Sequence, residues 1–184
     1  MSSVFQGVKR LTFGPSYHTL DFQTSFFEKN AEKTKSKTGI AIENSTSMKS
    51  VEETVLIHDT LKADGYDVCY CLDVGHCHLN KKYENDIPSV VRLLGSRLKM
   101  LHLHDNCRNK DLHAVPFAGT IPWEETMIAL KEIGYDGDFN LELDFNRVPQ
   151  PLLKPYLEYS LQVARYLMSV FDGAERSLDL ENKV

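Results

Sequence analysis

Four short apolar runs in this chain end on residues that bind metals or move protons. Ile40-Ala41-Ile42 runs into Glu43-Asn44, and Val68 to Leu72 into Asp73-Val74-Gly75-His76. Met100-Leu101 leads to His102-Leu103-His104-Asp105-Asn106, and Phe139-Asn140-Leu141 to Glu142-Leu143-Asp144. A buried strand that finishes on an unpaired carboxylate or imidazole incurs a desolvation penalty. When four strands do so, one shared cation near their ends is the simplest account. Carboxylate oxygens with imidazole nitrogen suit a divalent ion: Mn²⁺, Mg²⁺, Co²⁺, Fe²⁺ or Zn²⁺. The pattern points to a metalloenzyme.

The elements that must position these residues alternate along the chain. Asp21 to Lys37 reads as a helix with Phe22, Phe26, Phe27 and Ala31 on one face, and the strand Ile40 to Glu43 follows. Ser50, with Glu53 three residues on, is an N-cap for a helix to about Ala63. The strand Val68 to Asp73, a loop through Glu84 and a helix from Ile87 to Leu98 come next. Lys99 to His104 is a strand leading to a polar loop, Asp105 to Thr120. Pro122 opens a helix to Ile133, which Gly134 caps. The strand Phe139 to Leu143 and a helix from Leu152 to Phe171 complete the series, with a weaker strand at Val8 to Phe13. Residues 173–184 read as a polar tail after a single domain over 1–172.

Strands alternating with helices imply βαβ units and a parallel sheet. A doubly wound open sheet usually carries a Gly-rich phosphate turn, which is absent here. A (β/α) barrel gathers its chemistry at the C-terminal strand ends, where the carboxylates and histidines lie. A full barrel needs about 250 residues, and this chain has 184. The expectation is therefore the C-terminal portion of a (β/α)8 barrel, with four or five parallel strands and outer helices. Exposed sheet edges would favour a homo-oligomer, a covering partner, or membership of a longer gene product.

Composition bounds the alternatives. A content of 42% hydrophobic and 26% charged residues is that of a globular domain. The net charge of −5 argues against a dedicated nucleic-acid surface. No apolar run approaches the ~20 residues of a membrane span. Met1 to Arg10 has no signal-type apolar core. The four cysteines, Cys69, Cys71, Cys77 and Cys107, follow no disulfide spacing, so a reduced cytoplasmic setting is expected. Cys69 and Cys71 read as small hydrophobes within a strand.

Taken in order, these motifs resemble the xylose-isomerase-like TIM-barrel superfamily of sugar isomerases, ketose epimerases, inosose dehydratases and AP endonucleases. The resemblance covers about Phe26 to Phe145. Beyond the strand ends it includes Asp111-Leu112-His113, Gly119-Thr120-Ile121-Pro122-Trp123 and Gly134-Tyr135-Asp136-Gly137. One departure is Phe117-Ala118-Gly119, where the family commonly has Gly-Glu-Gly. The resemblance implies that Glu43, Asp73, Glu142 and one of His102 and His104 ligate a divalent metal. Side chains alternate along a strand, so both histidines share a face and the sequence leaves the choice open.

It further implies that Glu43 and Glu142 act as base and acid in proton transfer between adjacent carbons of a sugar or sugar phosphate. His76, Arg108, Asp111 and His113 would contact substrate. In nuclease-like relatives, His76 and the Asp111/His113 pair would instead hold further zinc, the arrangement of an AP-endonuclease-like phosphodiesterase. A catalytically silent barrel acting in binding is a third alternative.

Overall fold

The computed structural model describes residues 9–11, 39–44, 50–83 and 86–173. Five parallel strands form one sheet in strictly sequential order: β1 (Lys9–Leu11), β2 (Ile40–Glu43), β3 (Val68–Asp73), β4 (Leu98–Leu103) and β5 (Asp138–Leu141). A doubly wound sheet reverses direction at an inner strand. This order never does, which is how a barrel winds. The expected helix at Asp21 to Lys37 and the polar tail lie outside the described residues.

Among the described residues stand five α-helices: α1 (Val51–Ala63), α2 (Val74–Leu79), α3 (Ile87–Leu94), α4 (Trp123–Glu132) and α5 (Leu153–Asp172). Ser50 caps α1 by accepting the Glu53 amide at 3.2 Å. Gly95, at φ +52, ends α3 in a left-handed turn earlier than the expected Leu98. Strands β4 and β5 stop one and two residues before the expected His104 and Leu143.

The segment after Asp73 differs most from expectation. A loop was expected, and α2 stands there instead. Its cause is Asp73 itself, whose Oδ1 accepts the His76 amide at 2.8 Å as an N-cap.

Strands β2 and β3 are buried on both faces, as central parallel strands are. On one face Tyr70, Leu72, Leu101 and Leu103 join the core residues of α3, α4 and α5, among them Val91, Leu94, Trp123, Met127, Leu130 and Leu167. Ile40, Ile42 and Val68 pack with Ile57 and Leu61 of α1. The period-two alternation sends Ala41, Cys69, Cys71 and Met100 to the other face, where they form a cluster of their own. Glu43, Asp73 and His102 continue that same face toward the C-terminal rim.

Candidate metal centre

The strand ends bring the expected residues together. His102 Nδ1 lies 3.0 Å from Glu142 Oε2, 3.5 Å from Glu43 Oε2 and 3.9 Å from Asp73 Oδ2. Glu43, Asp73 and His102 are buried, and Glu142 is partly open. The geometry separates the two histidines. His102 pairs with Asp73 in the β3–β4 register and faces the three carboxylates, whereas His104 lies one step beyond the ladder and faces a second group.

Asp73 is divided between two tasks. Its Oδ1 accepts the His76 amide and the His104 Nε2 at 2.9 Å. Its buried Oδ2 has no hydrogen-bond partner and looks toward His102 and toward His76 Nδ1, 3.2 Å away. Burial works against the Asp73 carboxylate, yet the His104 and His76 contacts outweigh it and hold the group below its ordinary range. At His102 burial opposes the charge, and Glu43, Glu142 and Asp73 together raise the imidazole above its usual value.

His102 Nδ1 is buried with three carboxylate oxygens around it but no aligned hydrogen bond. Three carboxylate oxygens and an imidazole nitrogen converging at buried strand ends are a set of groups that a cation in place of the ring proton would satisfy. The donor set therefore fits a divalent ion of the kind that accepts oxygen and imidazole.

A second group abuts the first. One ligand atom from each of His76, His104, Asp111 and His113 lies within 4.8 Å of the others. Asp111 Oδ2 is 3.1 Å from His76 Nε2 and 3.4 Å from His113 Nε2. His113 Nδ1 donates to the Glu142 carbonyl at 3.0 Å, so its Nε2 is left as the acceptor facing the group. The rings of His104 and His113 stack at 3.9 Å with an 11° tilt. Their lone pairs therefore lie in separate, nearly parallel planes, and one ion cannot lie in both. His76, Asp111 and His113 form the set able to share an ion, and His104 is its wall.

Arg108 stands apart from both groups. It is exposed, at φ +66, with Nε 3.4 Å from His78 Nε2, which also meets Thr120 Oγ1 at 2.9 Å.

Three residues that the sequence reading passed over hold the site in place. Asn44 brackets the Asp73 backbone: its Nδ2 donates to the Asp73 carbonyl at 2.8 Å and its Oδ1 accepts the Asp73 amide at 2.9 Å. Gly75 lies against the His104 ring, where a Cβ would come within 2.0 Å. Asp105 organises the loop to α4. Its two oxygens accept the amides of Asn106, Phe117 and Ile121 and the Trp123 indole at 2.8–3.3 Å. Only the Glu43-Asn44 and Asp105-Asn106 pairings hinted at these roles, because polar side chains at buried strand ends usually serve backbone groups.

With this geometry in place, comparison with known proteins becomes informative. A profile of the xylose isomerase-like TIM barrel family matches residues 25–161. The uncharacterized protein y4fM of Sinorhizobium fredii is 30% identical over 145 residues, which are 76% of this chain and 42% of that protein. Among solved structures, a D-tagatose 3-epimerase-like protein superposes with a TM-score of 0.65 at 20% identity, covering 90% of this chain and 62% of the other. An L-ribulose 3-epimerase gives 0.67 at 14% identity, covering 94% and 61%. The chain thus spans less than two thirds of each of these relatives. The family match extends over most of the sequence, and the chain belongs to the xylose isomerase-like TIM barrel family.

Proposed function

We propose that this chain is the metal-binding part of a sugar or sugar-phosphate isomerase or epimerase, with Glu43, Asp73, His102 and Glu142 holding one divalent ion. The observation that carries the reading is that the Glu43 and Glu142 carboxylates approach a single His102 nitrogen from two different strands, β2 and the end of β5. A bound ion of this type supplies a Lewis acid that polarises a substrate carbonyl and stabilises the negative charge developing on its oxygen.

The protein's own groups do the proton work. Glu43, sealed from solvent, takes the proton from the carbon next to the carbonyl, and the C–H electron pair becomes the double bond of an enediolate. Glu142, more open at the rim and able to take a proton from solvent, returns one to carbon, and the proton on Glu43 is afterwards released to solvent. Return to the opposite face of the same carbon epimerises, and return to the neighbouring carbon, with the hydroxyl proton passing to the former carbonyl oxygen, isomerises. Hydrogen bonds to Asp73 from His104 and from Asn44 keep the centre in register during this exchange. Arg108, exposed beside His78 and away from the ligand groups, is a cation that the far end of a substrate, a hydroxyl or a phosphate, could meet. The names of the epimerase neighbours support this substrate class.

A second reading rests on the His76, Asp111 and His113 group. If that set also holds an ion, two ions flanking Asp73 would suit phosphodiester hydrolysis. Metal content by mass spectrometry, followed by a ketose panel in deuterated water, separates the two. One ion per chain with deuterium incorporated beside the carbonyl supports the isomerase. Two or three ions with cleavage of an abasic-site oligonucleotide and no exchange supports the hydrolase. Protein that holds no ion after dialysis against Zn²⁺, Mn²⁺ or Co²⁺ refutes both.

A further inference from the structure

The floor beneath the strand-end ligands is lined with sulfur. Ala41, Cys69 and Cys71 form a buried cluster with Met100 packed against it, on the face that carries Glu43, Asp73 and His102. Barrel interiors are ordinarily filled by bulky branched side chains at such positions. Cys71 pairs in register with Glu43 on one side and with Met100 on the other. The Cys71 thiol, a Glu43 carboxylate oxygen and a His102 ring nitrogen lie within 4.8 Å of one another, and all three residues are buried. His102 is 7% exposed, and its Nδ1 has no hydrogen-bond partner. Cys69 lies toward the opposite end of the strand, beside His58, Arg97 and Lys99.

We propose that Cys71 is a sulfur ligand of the metal centre, reaching it from below. The proposal rests on the reading of Glu43, Asp73, His102 and Glu142 as ligands and adds a fifth donor of a different kind. With metal–sulfur and metal–nitrogen bonds of about 2.3 and 2.0 Å, donors up to about 4.3 Å apart share one ion, close to the 4.8 Å within which these three ligand atoms lie. Binding exchanges the S–H proton for the ion, and the proton leaves to solvent. A soft donor among oxygens biases the centre toward thiophilic ions, Zn²⁺, Co²⁺ and Cd²⁺, over Mg²⁺ and Mn²⁺. Cys71 thus sets which metal the site retains, a role that packing alone would not give it.

Reconstitution of the full chain with Co²⁺ tests this by spectrum. Tight Co²⁺ binding with an intense near-ultraviolet sulfur-to-cobalt charge-transfer band is expected. Cys71→Ser should retain Co²⁺ and lose the band, while Cys69→Ser and Cys107→Ser keep it. Cd²⁺ affinity of Cys71→Ser should fall at least ~10-fold, with Mn²⁺ affinity little changed.

Bound Co²⁺ without the band, or a band that survives Cys71→Ser, overturns the sulfur ligand and leaves the carboxylate–histidine centre standing. Absence of Co²⁺ binding overturns both. Should Cys71→Ser fail to fold, a chain carrying Cys69→Ser, Cys77→Ser and Cys107→Ser together retains Cys71 as its sole cysteine. The band in that chain supports the assignment, and bound Co²⁺ without it refutes the assignment.

Discussion

Substituting Gly75 by alanine is the sharpest probe of how the site is held. A Cβ at this position would stand 2.0 Å from His104 Cε1, 2.3 Å from Nδ1 and 2.5 Å from Nε2. The ring must retreat by about 1 Å or more, in an interior packed as densely as a crystal. It has little room to do so: His104 is fully buried, stacked on His113 at 3.9 Å and bonded to Asp73 at 2.9 Å. Overpacking of this kind costs about 1–3 kcal/mol. Loss of the hydrogen bond to the Asp73 carboxylate adds about 1.5–3 kcal/mol. The expected loss is therefore about 3–5 kcal/mol, a large share of the 5–15 kcal/mol typical of a domain. At this chain length it corresponds to a fall in Tm of roughly 6–20 °C. Calorimetry or urea denaturation reads it directly. A cycle with His104→Ala isolates the cause, because removing the imidazole gives the new Cβ space. Gly75→Ala should cost at least about 1 kcal/mol less in the His104→Ala background. A Gly75→Ala chain that melts within about 2 °C of the parent, or strict additivity in the cycle, would refute the argument.

Three further outcomes follow from the same contacts. Asn44→Ala removes both bonds to the Asp73 backbone, and metal affinity measured by competition with a chromophoric chelator should drop about 10–100-fold; an unchanged affinity would mean Asn44 does not position Asp73. Asp105→Asn turns one accepting oxygen toward amide donors as a donor itself, and should destabilise by about 2–4 kcal/mol while shifting the emission of Trp123, the only tryptophan; an unaltered spectrum and melting point would contradict this. Acid sensitivity should come partly from Asp59, which paired 2.7 Å bonds from Arg97 hold at about 2 against an ordinary 3.8. Glu52 acts likewise: burial pushes it up, but bonds from Lys82 and Tyr83 bring it to about 2. A lowered native value stabilises fully above the unfolded value and is lost as pH falls toward 2. Both side chains are 44–48% exposed, so solvent screens the effect. Arg97→Met should flatten the stability curve between pH 4 and 2, and an equally steep curve in that variant would rule Asp59 out as its source.

Much of the fold was legible because β2 and β3 are short apolar runs closed by a carboxylate, and Ser50 and Gly134 mark helix ends. Ser50, Gly134 and the apolar runs at Ile40, Val68 and Met100 fall where the structure uses them. Helix α2 escaped notice because six residues hold less than two turns, too few for a period to show, and its start depends on the Asp73 side chain. That His102, not His104, faces the three carboxylates was hidden for a related reason. Alternation assigns both to one face, and only the pairing of Asp73 with His102 across the sheet tells them apart. Gly75, Asn44 and Asp105 act through backbone groups and ring faces brought close by folding, with partners up to 31 residues away in sequence. Local pattern carries no record of such contacts.

The two oxygens of Asp73 lead to a practical distinction among its variants. Oδ1 is committed to the start of α2 and to His104, while Oδ2 faces the imidazoles. Asparagine can present its carbonyl oxygen at the first position and its amide nitrogen at the second. The helix then keeps its cap, the histidine keeps its acceptor, and an ion held as proposed would meet a donor where it had a lone pair. Alanine erases both halves at once. Inactivity of an alanine variant therefore carries no information about chemistry, whereas an asparagine variant that melts normally and releases its ion separates architecture from catalysis within a single carboxyl group.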